Sequence, residues 1–186
     1  MRAKLAAEFR DVVQGVFAQV TASGVLKEVP TLDDVQELPG PLVTAIVELR
    51  EKAEAFREKI DDDDLHAVGR ADLHTAAALG RLQKAVGSVR SADVPSAKAE
   101  LSLFHDNTPT ADNDAQKPLW KYLDALRVLC NDAAEQARPH LERARSSTNA
   151  GQNGEAIKEY QQAYKLYSDP VTAQVIKRLR EDSLGL

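Results

Sequence analysis

Residues 151–170 read GQNGEAIKEYQQAYKLYSDP, and they hold the most specific spacing in the chain. Ala156, Tyr160 and Ala163 recur at helical steps after a glycine-containing turn. Small, aromatic and small side chains along one face allow a helix to pack closely against the helix that precedes it. Pro170 then ends the pattern, because proline lacks an N–H and its ring clashes with the preceding turn. The stretch therefore predicts the second helix of a helical hairpin.

The composition of the whole chain is that of a globular protein. Its 186 residues are 43% hydrophobic and 28% charged, which is too apolar for a disordered chain. This length suffices for one well-buried domain or for two small ones. Aromatic residues are few, so Ala, Leu and Val must form most of the core. The net charge of −5 disfavours nonspecific binding to nucleic acid, which needs a basic face.

The N-terminal part of the sequence begins with a helical pattern and a proline-rich connector. Apolar residues recur at steps of three and four over residues 3–22, which predicts an amphipathic helix. The connector covers residues 24–41. Within it, Thr31 and Asp34 have the spacing of a capping pattern, which predicts one short turn of helix.

Residues 42–89 predict a long antiparallel helical hairpin. The apolar seam of the first helix, residues 42–60, steps by four and three as in a coiled-coil-like pair: Leu42, Ile46, Leu49, Ala53, Phe56 and Ile60. Burying each large side chain stabilises the folded protein by about 1.5–3 kcal/mol, so this seam needs a partner helix. The partner is expected at residues 65–89, after an acidic tip at 61–64, with a kink or break near Gly69.

The polar stretch HDNTPTADNDAQK, residues 105–117, is the best internal boundary in the sequence. We expect a helical bundle at residues 1–110 and a second helical module at 111–186, or one continuous domain if the two pack together.

The second module is expected to begin with a helix that opens at Pro118. The pair Arg138-Pro139 predicts a kink or a restart in that helix. A last helix is expected at residues 171–182, with these residues on one side: Val171, Val175, Ile176 and Leu179. No stretch alternates with a period of two, so the predicted fold class is all-α, built from a helical bundle and hairpins.

Residues 138–170 resemble one tetratricopeptide repeat, a helix–turn–helix unit of about 34 residues. The residues that carry the resemblance occupy the small, turn and aromatic positions of the repeat: Ala144, Gly151, Ala156, Tyr160 and Ala163. Pro170 comes two residues later than the closing proline of the repeat, and His140 stands where a large aromatic residue is usual. Residues 171–184 would form the helix that caps the repeat.

The resemblance implies protein–protein binding, with a partner peptide lying along the concave side formed by the first helices. On this basis four residues would face the groove: Arg138, Leu141, Arg145 and Thr148. The Lys, Asn and Arg set with which some members hold a terminal carboxylate does not map onto these positions. Tyr164 lies beside the Ala–Tyr face of its helix and is a candidate solvent-facing anchor for the partner.

The residue types that carry out catalysis or bind metals form no recognisable group in this sequence. Cys130 is the only cysteine, which excludes an intramolecular disulfide, and its apolar helical setting predicts a buried, inert thiol. His66 and His74 are separated by about 12 Å along a helix, too far to bind one metal ion. Residues 61–64 lack the spacing of a calcium loop. We therefore expect no enzyme activity, no cofactor and no metal site.

The favoured hypothesis is a non-enzymatic adaptor or scaffold that binds another protein or peptide. The alternative is a structural, self-assembling or filament-associated subunit, a homo-oligomer that pairs through its helical seams. A small helical metal-binding protein is a remote alternative. No run approaches the roughly 18 apolar residues of a membrane span. We expect a soluble, cytoplasmic protein without membrane insertion, unless the chain is a fragment of a larger protein.

Overall fold

The computed structural model describes residues 2–59, 69–106 and 116–184. Helices dominate these residues and no strand occurs among them, which confirms the predicted all-α fold class. Their α-helices are α1 (Arg2–Ser23), α2 (Gly40–Lys59), α3 (Arg70–Arg90), α4 (Val94–Asp106), α5 (Lys117–Asn149), α6 (Asn153–Leu166) and α7 (Pro170–Leu184). Among these described helices, none is long and apolar enough to cross a membrane.

The start of α3 is fixed by Gly69, whose φ of +106° lies outside the helical region. Helix α3 thus begins directly after this glycine, and the kink or break predicted there stays a prediction. The acidic tip at 61–64 and the expected start of the third helix at 65–68 lie outside the described residues. In the connector, a short 3₁₀ turn at Leu32–Asp34 follows Thr31, whose hydroxyl donates to the Asp34 carboxylate at 2.7 Å.

Helix α2 packs against both α1 and α3, and the described residues of its seam face them; Ile60, the last predicted member of the seam, lies outside the described residues. Leu42, Ile46, Leu49 and Phe56 are all at most 4% exposed. The rings of Phe9 and Phe56 stack with their centroids 4.5 Å apart. Buried residues of α1 to α4, the connector and the first turns of α5 as far as Cys130 join in one cluster, here termed the N-terminal core.

Helix α5 is one continuous helix of 33 residues with Pro139 inside it, so of the kink or restart predicted at Arg138-Pro139 the restart is wrong and the kink stays a prediction. Proline removes the hydrogen bond that its N–H would give to the carbonyl of Glu135, one turn earlier. Glu135 and Pro139 are both exposed, so water can bind that carbonyl. Ala137 and Ala144 are fully buried on the opposite face, and this packing holds the helix together on both sides of the proline.

A second, smaller cluster joins the end of α5 to α6 and α7, and it is termed the C-terminal cluster. Its buried members are Ala144, Ala156, Tyr160, Ile176 and Leu179. The backbone N–H of Val94 donates to the carbonyl of Ser168 at 2.9 Å, and Tyr167 packs against the N-terminal core. Helix α5 also runs through both clusters and so connects them. The division into two domains at residue 110 stays a prediction.

Candidate interaction face

The turn between α5 and α6 is a Schellman motif built on Gly151. Gly151 has a φ of +72°, which glycine adopts without the strain of a Cβ. The N–H of Gln152 donates to the carbonyl of Ser147 at 2.8 Å, and the N–H of Gly151 donates to that of Thr148 at 3.0 Å. This motif turns the chain so that α6 packs back against the end of α5.

The contact between α5 and α6 is close because small side chains meet there. Ala144 of α5 and Ala156 of α6 are fully buried, and Tyr160 is 8% exposed beside them. Ala163 is also buried, at 1% exposed. The small–aromatic–small spacing that opened the sequence analysis therefore faces inward, as predicted.

A polar cluster of His140, Arg143 and Glu159 links the two helices at the surface. The Glu159 carboxylate lies 2.7 Å from Nδ1 of His140 and 3.0 Å from Nε of Arg143, which donates to it. Two hydrogen bonds hold the pKa of Glu159 below its ordinary value. The one with His140 has the largest effect, and the one with Arg143 comes next in size. His140 thus joins α5 to α6 through a polar contact at the position where the repeat pattern has a large aromatic residue.

Helix α7 begins with an N-cap at Asp169. Its carboxylate accepts from the N–H of Val171 at 3.0 Å, and from the N–H and hydroxyl of Thr172 at 3.3 Å and 2.8 Å. Thr172 is therefore turned inward and is 5% exposed, whereas Val171 is 65% exposed. The prediction that Val171 lies on the buried side of this helix is wrong, because Thr172, Ile176 and Leu179 form that side.

The five predicted site residues have three kinds of environment. Arg138 and Arg145 are exposed, and neither forms an ion pair with any residue that the structure describes. Leu141 and Tyr164 are half-buried against the C-terminal cluster, so Tyr164 presents only part of its ring to solvent. Thr148 is half-buried, and its hydroxyl donates to the carbonyl of Ala144 at 2.9 Å.

Sequence reasoning did not separate Arg143 from its two neighbouring arginines. The structure pairs Arg143 with Glu159, whereas Arg138 and Arg145 are on the face that repeats at steps of three and four with Leu141. His140 and Arg143 are three residues apart and lie on one helix face, where both contact Glu159 of α6.

The other titratable side chains that the structure describes do not gather into a site. Within the described ranges, no three or more His, Cys, Asp or Glu side chains lie together in a way that could hold a metal ion. Cys130 is fully buried in the N-terminal core, and burial raises the pKa of its thiol to about 11. The predicted burial of this thiol is confirmed.

Comparison of the chain with protein-family models, with curated proteins and with solved structures found no match. The resemblance of residues 138–170 to a tetratricopeptide repeat therefore stays a prediction.

Proposed function

We propose that this protein is a non-enzymatic adaptor that binds another protein or peptide through its C-terminal helices. The binding surface is termed the interaction face, and it consists of Arg138, Leu141, Arg145, Thr148 and Tyr164. The observation that carries the proposal is the pair Arg138 and Arg145, both exposed and without an ion pair in the described part of the chain.

The spacing of these two arginines suits a peptide better than a small ligand. They are seven residues apart on α5, which corresponds to about 10.5 Å along the helix axis. Leu141 lies between them and offers an apolar contact that is half accessible. Arginine and aromatic side chains around a small apolar centre are the groups most enriched in protein interfaces. The expected partner segment carries carboxylates on both sides of an apolar residue.

The rigidity of the supporting helices favours binding at this face. The Schellman turn, the N-cap at Asp169 and the cluster of His140, Arg143 and Glu159 all fix the backbone beneath it. A surface that is already ordered loses less conformational entropy when its partner binds.

The proposal is tested by partner capture with a triple variant, Arg138→Ala, Arg145→Ala and Tyr164→Ala. We expect the captured amount of at least one partner to fall about tenfold, since interface arginine and tyrosine residues often contribute more than 1 kcal/mol each. A control variant changes three exposed lysines or arginines outside the module, Lys27, Lys59 and Arg90, to alanine. If every partner stays bound to the triple variant, the proposed face is wrong.

The self-assembly hypothesis receives no specific support from the structure. The α2 seam and the apolar side of α1 are buried within the chain itself, so neither presents a free apolar stripe for a second copy. Light scattering at high protein concentration tests this alternative directly, and a defined oligomer would return it to consideration.

The cytoplasmic location and the absence of enzyme activity stay predictions.

A further inference from the structure

A groove lies between α2 and α3, on a part of the molecule that contributes no residue to the interaction face. Its volume is about 210 Å³. The residues that line it come from α2 and α3, together with Glu100 of α4.

The floor of this groove is apolar. Leu73 and Ala76 are 6% and 3% exposed, and they belong to the N-terminal core. Above Gly80 there is open space, since a Cβ built at that position would meet no atom within 4 Å. A ligand that enters the groove therefore contacts apolar surface without displacing a side chain at this point.

The walls of the groove are cationic. Arg81 and Lys84 share one carboxylate, that of Glu100, at 3.2 Å and 3.3 Å. On the opposite wall Arg50 and Arg57 are exposed, and no described residue forms an ion pair with either of them. Among the described residues that line the groove, four cationic side chains against Glu54 and Glu100 leave an excess of two positive charges, although the chain as a whole carries −5.

The positive potential also acts on a neighbouring histidine. Burial lowers the pKa of His74, and the charges of Arg70 and Arg57 lower it further. Arg57 therefore lies close enough to act on His74 as well as on the groove.

We propose that this groove binds an acidic, amphipathic helical segment of a partner protein. Arg50 and Arg57 are two helical turns apart, about 10.5 Å along α2, which is more than one phosphate group can bridge. A helix with carboxylates two turns apart matches this distance, and an apolar side chain between them contacts the apolar floor. This inference does not rest on the proposed function of the interaction face.

The test uses the full chain and a fluorescein-labelled helical peptide of about 15 residues, with Glu two turns apart and Leu between them. Fluorescence anisotropy measures its affinity at low and high salt. We expect saturable binding that is weakened about tenfold by the double variant Arg50→Glu, Arg57→Glu. The neutral pair Arg50→Gln, Arg57→Gln is expected to weaken binding less, and Glu54→Gln to strengthen it.

The matched control is Lys158→Glu, Lys165→Glu, because these exposed residues of α6 have the same spacing of seven. We expect this control to leave the affinity for the peptide unchanged. The inference is overturned if the peptide shows no saturable binding, if a peptide with Gln in place of Glu binds equally well, or if the Arg50 and Arg57 variants bind like the wild type. Binding of inorganic polyphosphate without binding of the peptide would also overturn it, in favour of an unspecific polyanion site.

A further pair of variants separates this groove from the interaction face. If Arg138→Glu, Arg145→Glu removes peptide binding and the groove variants do not, the peptide binds at the interaction face. That result overturns the groove inference and leaves the proposed function standing.

Discussion

The N-terminal core and the C-terminal cluster reach burial by different routes. The N-terminal core brings together many large aliphatic side chains, from consecutive helices and also from the non-consecutive pairs α1 with α3 and α3 with α5. The C-terminal cluster joins only helices that follow one another, with alanines, Tyr160 and two large aliphatic residues. Stability in the first region therefore depends on the burial of large side chains in a shared core, and in the second on close packing between consecutive helices and on the motifs at their ends.

This difference bears on where a partner binds. In the N-terminal part, most of the apolar surface of α1, α2 and α3 is buried within the chain, and the groove between α2 and α3 leaves only a small part of it accessible. In the C-terminal part, the two unpaired arginines and the half-buried Leu141 and Tyr164 are left accessible on an ordered support.

The largest effect on stability is expected when one buried leucine in each region is truncated to alanine. Leu79 is fully buried in the N-terminal core, and Leu179 is 8% exposed in the C-terminal cluster. We expect Leu79→Ala to lower the free energy of unfolding by about 2–5 kcal/mol, because it leaves a cavity among residues that cannot collapse. Leu179→Ala is expected to lower the free energy of unfolding by less, since α7 can move to fill the space. Urea denaturation measures the free energy of unfolding of both variants, and an equal or larger loss for Leu179→Ala would contradict the comparison.

Two glycines with positive φ give the next largest difference. At Gly69, with φ +106°, a Cβ would lie 3.0 Å from the ring of Phe56, whereas at Gly151, with φ +72°, it would meet nothing within 4 Å. We expect Gly69→Ala to lower the free energy of unfolding by about 1–3 kcal/mol. Gly151→Ala should lower it by about 1 kcal/mol, from backbone strain alone.

Thermal unfolding of the two glycine variants provides the measurement. The control is Gly87→Ala in the helical part of α3, which is expected to be neutral or stabilising by up to about 1 kcal/mol. A greater loss at Gly151 than at Gly69 would show that the C-terminal turn, and not the Phe9–Phe56 stack, is the more constrained site.

Removing the N-cap of α7 is expected to act locally. Asp169→Ala removes three hydrogen bonds at the start of the helix and should cost about 1 kcal/mol. Hydrogen exchange should show faster exchange in α7 and unchanged exchange in α1 to α4. Asp169→Asn is the control, since asparagine also caps helices. Faster exchange throughout the chain would mean that the two regions unfold as one unit.

The smallest effect is a pH dependence of the α5–α6 contact. The pKa of Glu159 is lower in the folded protein than its ordinary value of 4.5. Its contribution to stability is therefore complete above pH 4.5 and is lost as the pH falls through the lower, folded-state value. We expect the stability of the wild type to fall more steeply with acid than that of Glu159→Gln. Parallel stability curves for the two proteins would show that the carboxylate contributes nothing.

The parts of the fold that the sequence predicts well are those with local signals. The helix expected at residues 3–22 extends over Arg2–Ser23, and the Thr31–Asp34 pattern marks a real 3₁₀ turn. Gly151 ends α5 because only a positive φ allows the Schellman turn, and the sequence shows that glycine directly.

The errors occur where tertiary packing overrides a local signal. Pro139 predicts a kink or a restart, but α5 continues through it, with buried alanines on one side and the exposed residues Glu135 and Pro139 on the other. Val171 is apolar, but the N-cap of Asp169 turns Thr172 inward in its place. The difference between Arg143 and its neighbours depends on Glu159, a residue of another helix, and so it could not be read from α5 alone.

The claim that the C-terminal part of α5 binds a partner is tested most directly by photo-cross-linking at two exposed positions of the same helix. Benzoylphenylalanine replaces Asn149, next to Thr148, in one variant and Val128, which is 44% exposed, in the other. We predict a cross-linked partner protein from position 149 that disappears when Arg138→Glu and Arg145→Glu are added, and none from position 128. Equal cross-linking at both positions, or cross-linking at 128 alone, would contradict the proposed interaction face.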